Sequence, residues 1–152
     1  MTSRTGGTDL GPQLSTRLGY LLKRAFLELE ELHVEHLGPS GVNARELTVL
    51  LLLDGREPES QQQAAARLGV DRTTMVGLLD GLEDKGLVAR QTDPVDRRRN
   101  VVGLTPAGRR TLGTASAASD KAEQELLGAL SEPEVQRFRE LLGRVAAGDV
   151  RP

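Results

Sequence analysis

Three consecutive arginines, Arg97, Arg98 and Arg99, are the residues with the clearest chemical potential in this chain. Side by side they repel one another and bury nothing, so packing gives no reason for the run. Forked guanidinium donors pair with phosphate oxygens and suit a narrow minor groove of duplex DNA. Asp96 directly precedes them, where a carboxylate can orient a neighbouring arginine. The formal net charge of the chain is only −2. Residues 85–110, however, hold seven cations (Lys85, Arg90, Arg97, Arg98, Arg99, Arg109, Arg110) against Asp93 and Asp96, a local +5 that leaves −7 for the rest. Such clustering is the electrostatic footprint of a nucleic-acid binder whatever the total says.

A second constellation lies upstream. At about 100° per residue, Met75, Leu78, Leu79 and Leu82 fall on one helix face and Arg72, Thr73, Val76, Gly77 and Asp80 on the other. The second face offers a guanidinium, a hydroxyl, a methyl-bearing side chain and a glycine that permits close approach. These groups suit phosphates, base edges and thymine methyls in a major groove, and also suit an ordinary solvated face. Gln61, Gln62 and Gln63 at a helix start fit phosphate contact and helix surface equally.

His33 and His36 stand at i and i+3 beside Glu31 and Glu35. A complete metal site needs three or four ligands, and the others here would be carboxylates, so a solvent- or partner-facing pair is the reading and no metal is expected. The absence of Cys removes disulfides, thiolate metal sites and a thiol switch. No phosphate-cradling glycine loop or zinc-enzyme motif is present, and a Ser–His–acid triad lacks support, so an enzyme is disfavoured and no cofactor is expected. The longest apolar run, Val49–Leu53, is too short to span a bilayer, and no signal-peptide pattern opens the chain; a soluble, cytoplasmic protein without membrane association is expected.

The elements that must position these groups are legible from caps and periodicity. Residues 1–11 are small, polar and glycine-rich, and read as a disordered tail. A helix is expected from Pro12 to about Leu37, stopped by Gly38-Pro39, and a second from Asn43, with Glu46 completing its capping box and Val42–Leu47 as a staple. Leu50–Leu53 read as core. Ser60 with Gln63 opens a short helix ending before Gly69, and Asp71 caps another that runs to Lys85-Gly86. Two short helices joined by a glycine turn form a helix-turn-helix over 60–85. Leu87–Gln91 and Val101–Leu104 read as two strands around a polar loop, a wing over 87–104. Thr105-Pro106 starts a long helix to about Ala129, and Ser131 with Glu134 starts the last. The expected fold is mainly α with a small β-hairpin: one winged-helix domain over 12–152, its lobe at 43–105 flanked by dimerisation helices at 12–37 and 106–147.

Four runs carry a family resemblance: Gly69-Val70-Asp71-Arg72-Thr73-Thr74-Met75, Leu82-Glu83-Asp84-Lys85-Gly86-Leu87-Val88, Asp93-Pro94-Val95-Asp96-Arg97-Arg98-Arg99 and Leu104-Thr105-Pro106-Ala107-Gly108. Together they resemble the MarR family of bacterial regulators, over about residues 13–147. The resemblance implies a homodimer held by the first and last two helices, a recognition helix in the major groove and a wing in the minor groove. The family's Asp-x-Arg wing motif falls on Asp96 and Arg98, while Gly77 and Gly81 stand where many members carry a basic residue. The expected DNA-facing set is Ser60, Gln61, Arg72, Thr73, Thr74, Val76, Gly77, Arg90, Asp96, Arg97, Arg98 and Arg99. The resemblance further implies a repressor that releases double-stranded DNA when a small aromatic or anionic effector binds, with His33 and His36 as candidate effector contacts. The alternative is a winged helix used as a protein-interaction module without sequence-specific DNA binding.

Overall fold

The computed structural model describes residues 9–148. In chain order these form α1 (Gly11–Ser15), α2 (Leu18–Leu37), a 3-10 turn (Gly38–Ser40), α3 (Ala44–Leu53), β1 (Glu59–Ser60), α4 (Gln61–Leu68), α5 (Arg72–Asp84), β2 (Val88–Thr92), β3 (Asn100–Leu104), α6 (Pro106–Leu126) and α7 (Glu132–Ala147). The mainly helical fold with a small wing is as expected. The expectation for the tail falls largely outside the described residues, although Gly11 already begins α1.

Local chemistry explains the boundaries. Asn43–Glu46, Ser60–Gln63 and Ser131–Glu134 each close a reciprocal capping box at the start of α3, α4 and α7. Gly69 ends α4 at φ +64°, which only glycine adopts without a Cβ penalty, while Val70 N–H reaches back to the Ala65 carbonyl. That tight reversal turns the chain into α5. Two differences from the expected elements have a physical cause. The first helix is broken at Thr16, whose hydroxyl donates to the Pro12 carbonyl at 2.6 Å while Arg17 N–H takes a shorter-range bond to Leu14. A third strand, β1, joins the wing hairpin; two residues are too few to show alternation.

The chain divides into two compact units, His33–Lys121 and the described parts of Met1–Leu32 with Ala122–Pro152. In the first, the antiparallel sheet has the order β1-β3-β2, pairing Glu59 with Val102 and Val88 through Thr92 with Leu104 back through Asn100. Val88 and Val102 join Leu47, Val49, Leu50, Met75, Leu79 and Leu82 in one core. Leu50 and Leu53 are buried, but Leu51, expected in the core, is 52% exposed, because four consecutive residues point all round a helix and cannot share one face. Gly108 of α6 lies so close to Leu87 that a Cβ there would overlap the Leu87 carbonyl oxygen. Thr105 tightens the same junction, its hydroxyl donating to the Gly86 carbonyl and accepting from Gly108 N–H. In the second unit, α7 contains no buried residue, and Arg139 reaches Glu123 at 2.7 Å.

Candidate nucleic-acid interface

α5 begins at Asp71, whose carboxylate accepts both the backbone N–H and the hydroxyl of Thr74, at 2.7 and 3.0 Å. Those bonds, the backbone one first, hold the Asp71 carboxyl below its ordinary pKa, since each favours the charged form. Burial of Met75, Leu79 and Leu82 then fixes the rotation of the helix. Arg72, Thr73 and Gly77 are left exposed and Val76 half-buried. Thr74, expected to face outward, is half-buried and gives its hydroxyl proton to the cap. Ser60 is likewise engaged locally: its hydroxyl accepts from Gln63 N–H at 3.1 Å and its own N–H donates to Gln63 Oε1 at 3.0 Å.

The wing loop is pinned through its backbone. Asp93 Oδ1 accepts from Val95 N–H at 2.9 Å, and Asp93 N–H donates to the Arg99 carbonyl at 2.9 Å. Asp96 Oδ1 accepts from Arg98 N–H at 3.0 Å, while the Asp96 carbonyl accepts from Arg99 N–H. Asp96 therefore orders the main chain that carries Arg98. All three arginines of the run are exposed, and among the described residues none is engaged in an ion pair. The result is a hydrogen-bonded turn presenting three available guanidinium groups.

Arg90 is different. From β2 it donates to Asp80 at 2.7 Å and Glu83 at 3.0 Å, both on α5, and to Gln61 Oε1 of α4 at 3.3 Å. The bond to Asp80 is the first cause that raises its pKa, partly offset by burial. Two further pairs brace the lobe. Glu46 of α3, buried, takes Lys85 Nζ on both oxygens, and Lys85 also donates to the Gly41 carbonyl. Glu59 of β1 accepts Arg67 Nε of α4 at 2.8 Å. Sequence reasoning missed these networks, because no local pattern reveals which acids and bases meet when their elements pack. An acid such as Asp80 on an otherwise DNA-suited face was the one available hint. The two histidines are placed apart from these groups in sequence; His33 Nε2, on α2, shares a 3.1 Å hydrogen bond with Ser119 of α6, and His36 is half-buried.

The model of the MarR family matches residues 40–99, from the 3-10 turn to the wing. The transcriptional regulator HosA of Escherichia coli O111:H- is 30% identical over 130 residues, covering 82% of this chain and 96% of the relative. This chain belongs to the MarR family. Solved structures agree with that membership. The transcriptional repressor CouR bound to a 23-mer DNA duplex has a TM-score of 0.82 at 34% identity, covering 89% of this chain and 96% of that one. CouR from Rhodococcus jostii RHA1 bound to p-coumaroyl-CoA has a TM-score of 0.79 at 32% identity, covering 93% and 100%. The MarR-type chain described here is thus a winged-helix, DNA-binding transcriptional regulator. No helix among its described residues is long and apolar enough to cross a membrane.

Proposed function

We propose that this regulator is a ligand-responsive repressor, acting in the cytoplasm as a homodimer on an inverted-repeat duplex site. α5 lies in the major groove through Arg72, Thr73, Val76 and Gly77, with Thr74, Ser60 and Gln61 at its margins, and the wing enters the minor groove through Arg97, Arg98 and Arg99. One observation carries this reading: a wing whose backbone is held by Asp93 and Asp96 while its arginine heads stay available. Homodimerisation is supported by the exposure of Leu14, Leu18, Phe26, Phe138, Leu141 and Val145 in the terminal helices. Pairing two copies would set two recognition helices about 34 Å apart, one turn of DNA. The effector, a small aromatic or anionic molecule, is proposed from the resemblance to CouR with its bound p-coumaroyl-CoA; His33 and His36 are the proposed contacts.

The test is a pair of wing variants on a duplex selected from random sequence. Arg98→Ala should weaken binding by about 1–3 kcal/mol and flatten the salt slope by about one for each phosphate left without its arginine. Asp96→Ala should also weaken binding, although it removes a negative charge, because the Arg98 backbone loses its acceptor. Tighter binding by Asp96→Ala with an intact circular dichroism spectrum would leave only diffuse positive charge. Selection of no duplex at all would favour a protein-interaction module.

A further inference from the structure

Asp80 and Glu83 lie three residues apart on α5, and both keep about half of their side-chain surface in solvent, at 57% and 43%. Two carboxylates on a helix that approaches a polyanion oppose binding through like-charge repulsion. Each is answered by the same cation, which comes from another element. Arg90 sends Nη2 to Asp80 and Nη1 to Glu83, and Nη2 also reaches Gln61 of the preceding helix. Only 26% of its side chain is exposed, whereas Arg97, Arg98 and Arg99 on the same hairpin are exposed. An arginine whose Nη2 is spent on an acid and an amide, whose Nη1 is turned to a second acid, and whose side chain is mostly covered is poorly placed for phosphate.

The backbone around Arg90 makes this cluster mechanically significant. Arg90 pairs with Val102 of β3, and Val102 also pairs with Glu59 of β1, so Arg90, midway along β2, lies in the three-stranded root from which the wing loop projects. Two residues further on, Thr92 pairs with Asn100 where the loop begins. A bond from this root to α5 therefore sets the angle at which the wing leaves the helix.

We propose that Arg90 is a positioning residue for DNA binding: it fixes the root of the wing to the recognition helix and shields Asp80 and Glu83 from DNA phosphate. This rests on the DNA-binding reading above, but it assigns Arg90 a role through its protein partners rather than through the duplex.

A mutant cycle on the full chain decides it, using fluorescence anisotropy with a labelled 30-base-pair mixed-sequence duplex. Arg90→Gln should weaken binding about three- to tenfold. In the Asp80→Asn, Glu83→Gln background the same change should cost little, because the acids it answers are gone. Its salt slope should stay close to that of the parent chain. An undiminished loss in the acid-free background, with a slope lower by about one, would mean direct phosphate contact and overturn the proposal. Hydrogen exchange without DNA provides a separate reading: Arg90→Gln should speed exchange of the β2 and β3 amides about three- to fivefold and leave α3 unchanged. Unchanged wing exchange would also overturn it. If Arg90→Gln fails to fold, Arg90→Lys replaces it, since one ammonium cannot span both acids as the fork does. Failure of the parent chain to bind any duplex would sink the DNA-binding reading instead, and the exchange experiment would still decide whether Arg90 holds the wing.

Discussion

Within His33–Lys121, Val49, Leu50, Met75, Leu79 and Leu82 are wholly inaccessible to solvent, and α3, α4, α5 and the sheet are cross-braced by Glu46–Lys85, Glu59–Arg67 and Arg90 with Asp80 and Glu83. The terminal helices present the opposite case. Of fifteen large hydrophobic side chains exposed among the described residues, twelve belong to the unit made of the two chain ends, and α7 buries none of its own. One region closes its core within a single chain; the other leaves apolar stripes at helical spacing, with Phe138, Leu141, Leu142 and Val145 along one face. Exposed apolar area on this scale marks an interaction surface. The contrast teaches that the winged lobe closes a core within one chain, while the terminal helices leave apolar surface that the proposed homodimer would cover.

The largest effect should come from truncating the two regions in parallel. Leu79→Ala leaves a cavity in the closed core and should cost about 2–5 kcal/mol, independently of protein concentration. Phe138→Ala with Leu141→Ala should act instead on association, raising the concentration at which sedimentation shows the proposed dimer dissociating. A concentration-independent loss of equal size from both variants would erase the distinction drawn between the regions.

A smaller effect is expected at Asp71, which caps α5 on the surface of the lobe. Its carboxyl is held below the ordinary value, so its contribution is complete at neutral pH and down to the unfolded-state pKa, and is lost as pH falls through the lower, folded one. Asp71→Asn should therefore lose less stability than the parent chain across that window, as thermal melts across an acid series would show. Equal acid sensitivity in both would mean that other carboxylates dominate.

The smallest change sharpens the comparison from within the lobe. Gly77 has helical backbone and nothing within 4 Å of a Cβ placed there, so intramolecular packing gives no reason for glycine. Gly77→Ala should stabilise the chain by about 0.5–1 kcal/mol in a denaturant titration. A simultaneous fall in duplex affinity would locate the close approach at this face; unchanged affinity would make Gly77 plain surface.

What the sequence determined alone is local in physical range. Asn43 with Glu46, Ser60 with Gln63, Ser131 with Glu134 and Asp71 with Thr74 cap helices across three residues, a separation that helix geometry dictates whatever else the chain does. Three adjacent arginines in a polar loop are equally legible, because their mutual repulsion needs no tertiary partner to be recognised. The tertiary structure alone decided which charges meet. Lys85 finds Glu46 across 39 positions, Arg90 finds Gln61 across 29, and the two-residue strand β1 exists because β3 offers it an edge. Arg90 shows the consequence: by composition it belongs with Arg97, Arg98 and Arg99, yet two residues of α5 occupy its guanidinium. An ion pair forms where packing brings its partners together, and packing depends on the whole chain rather than on any window of it.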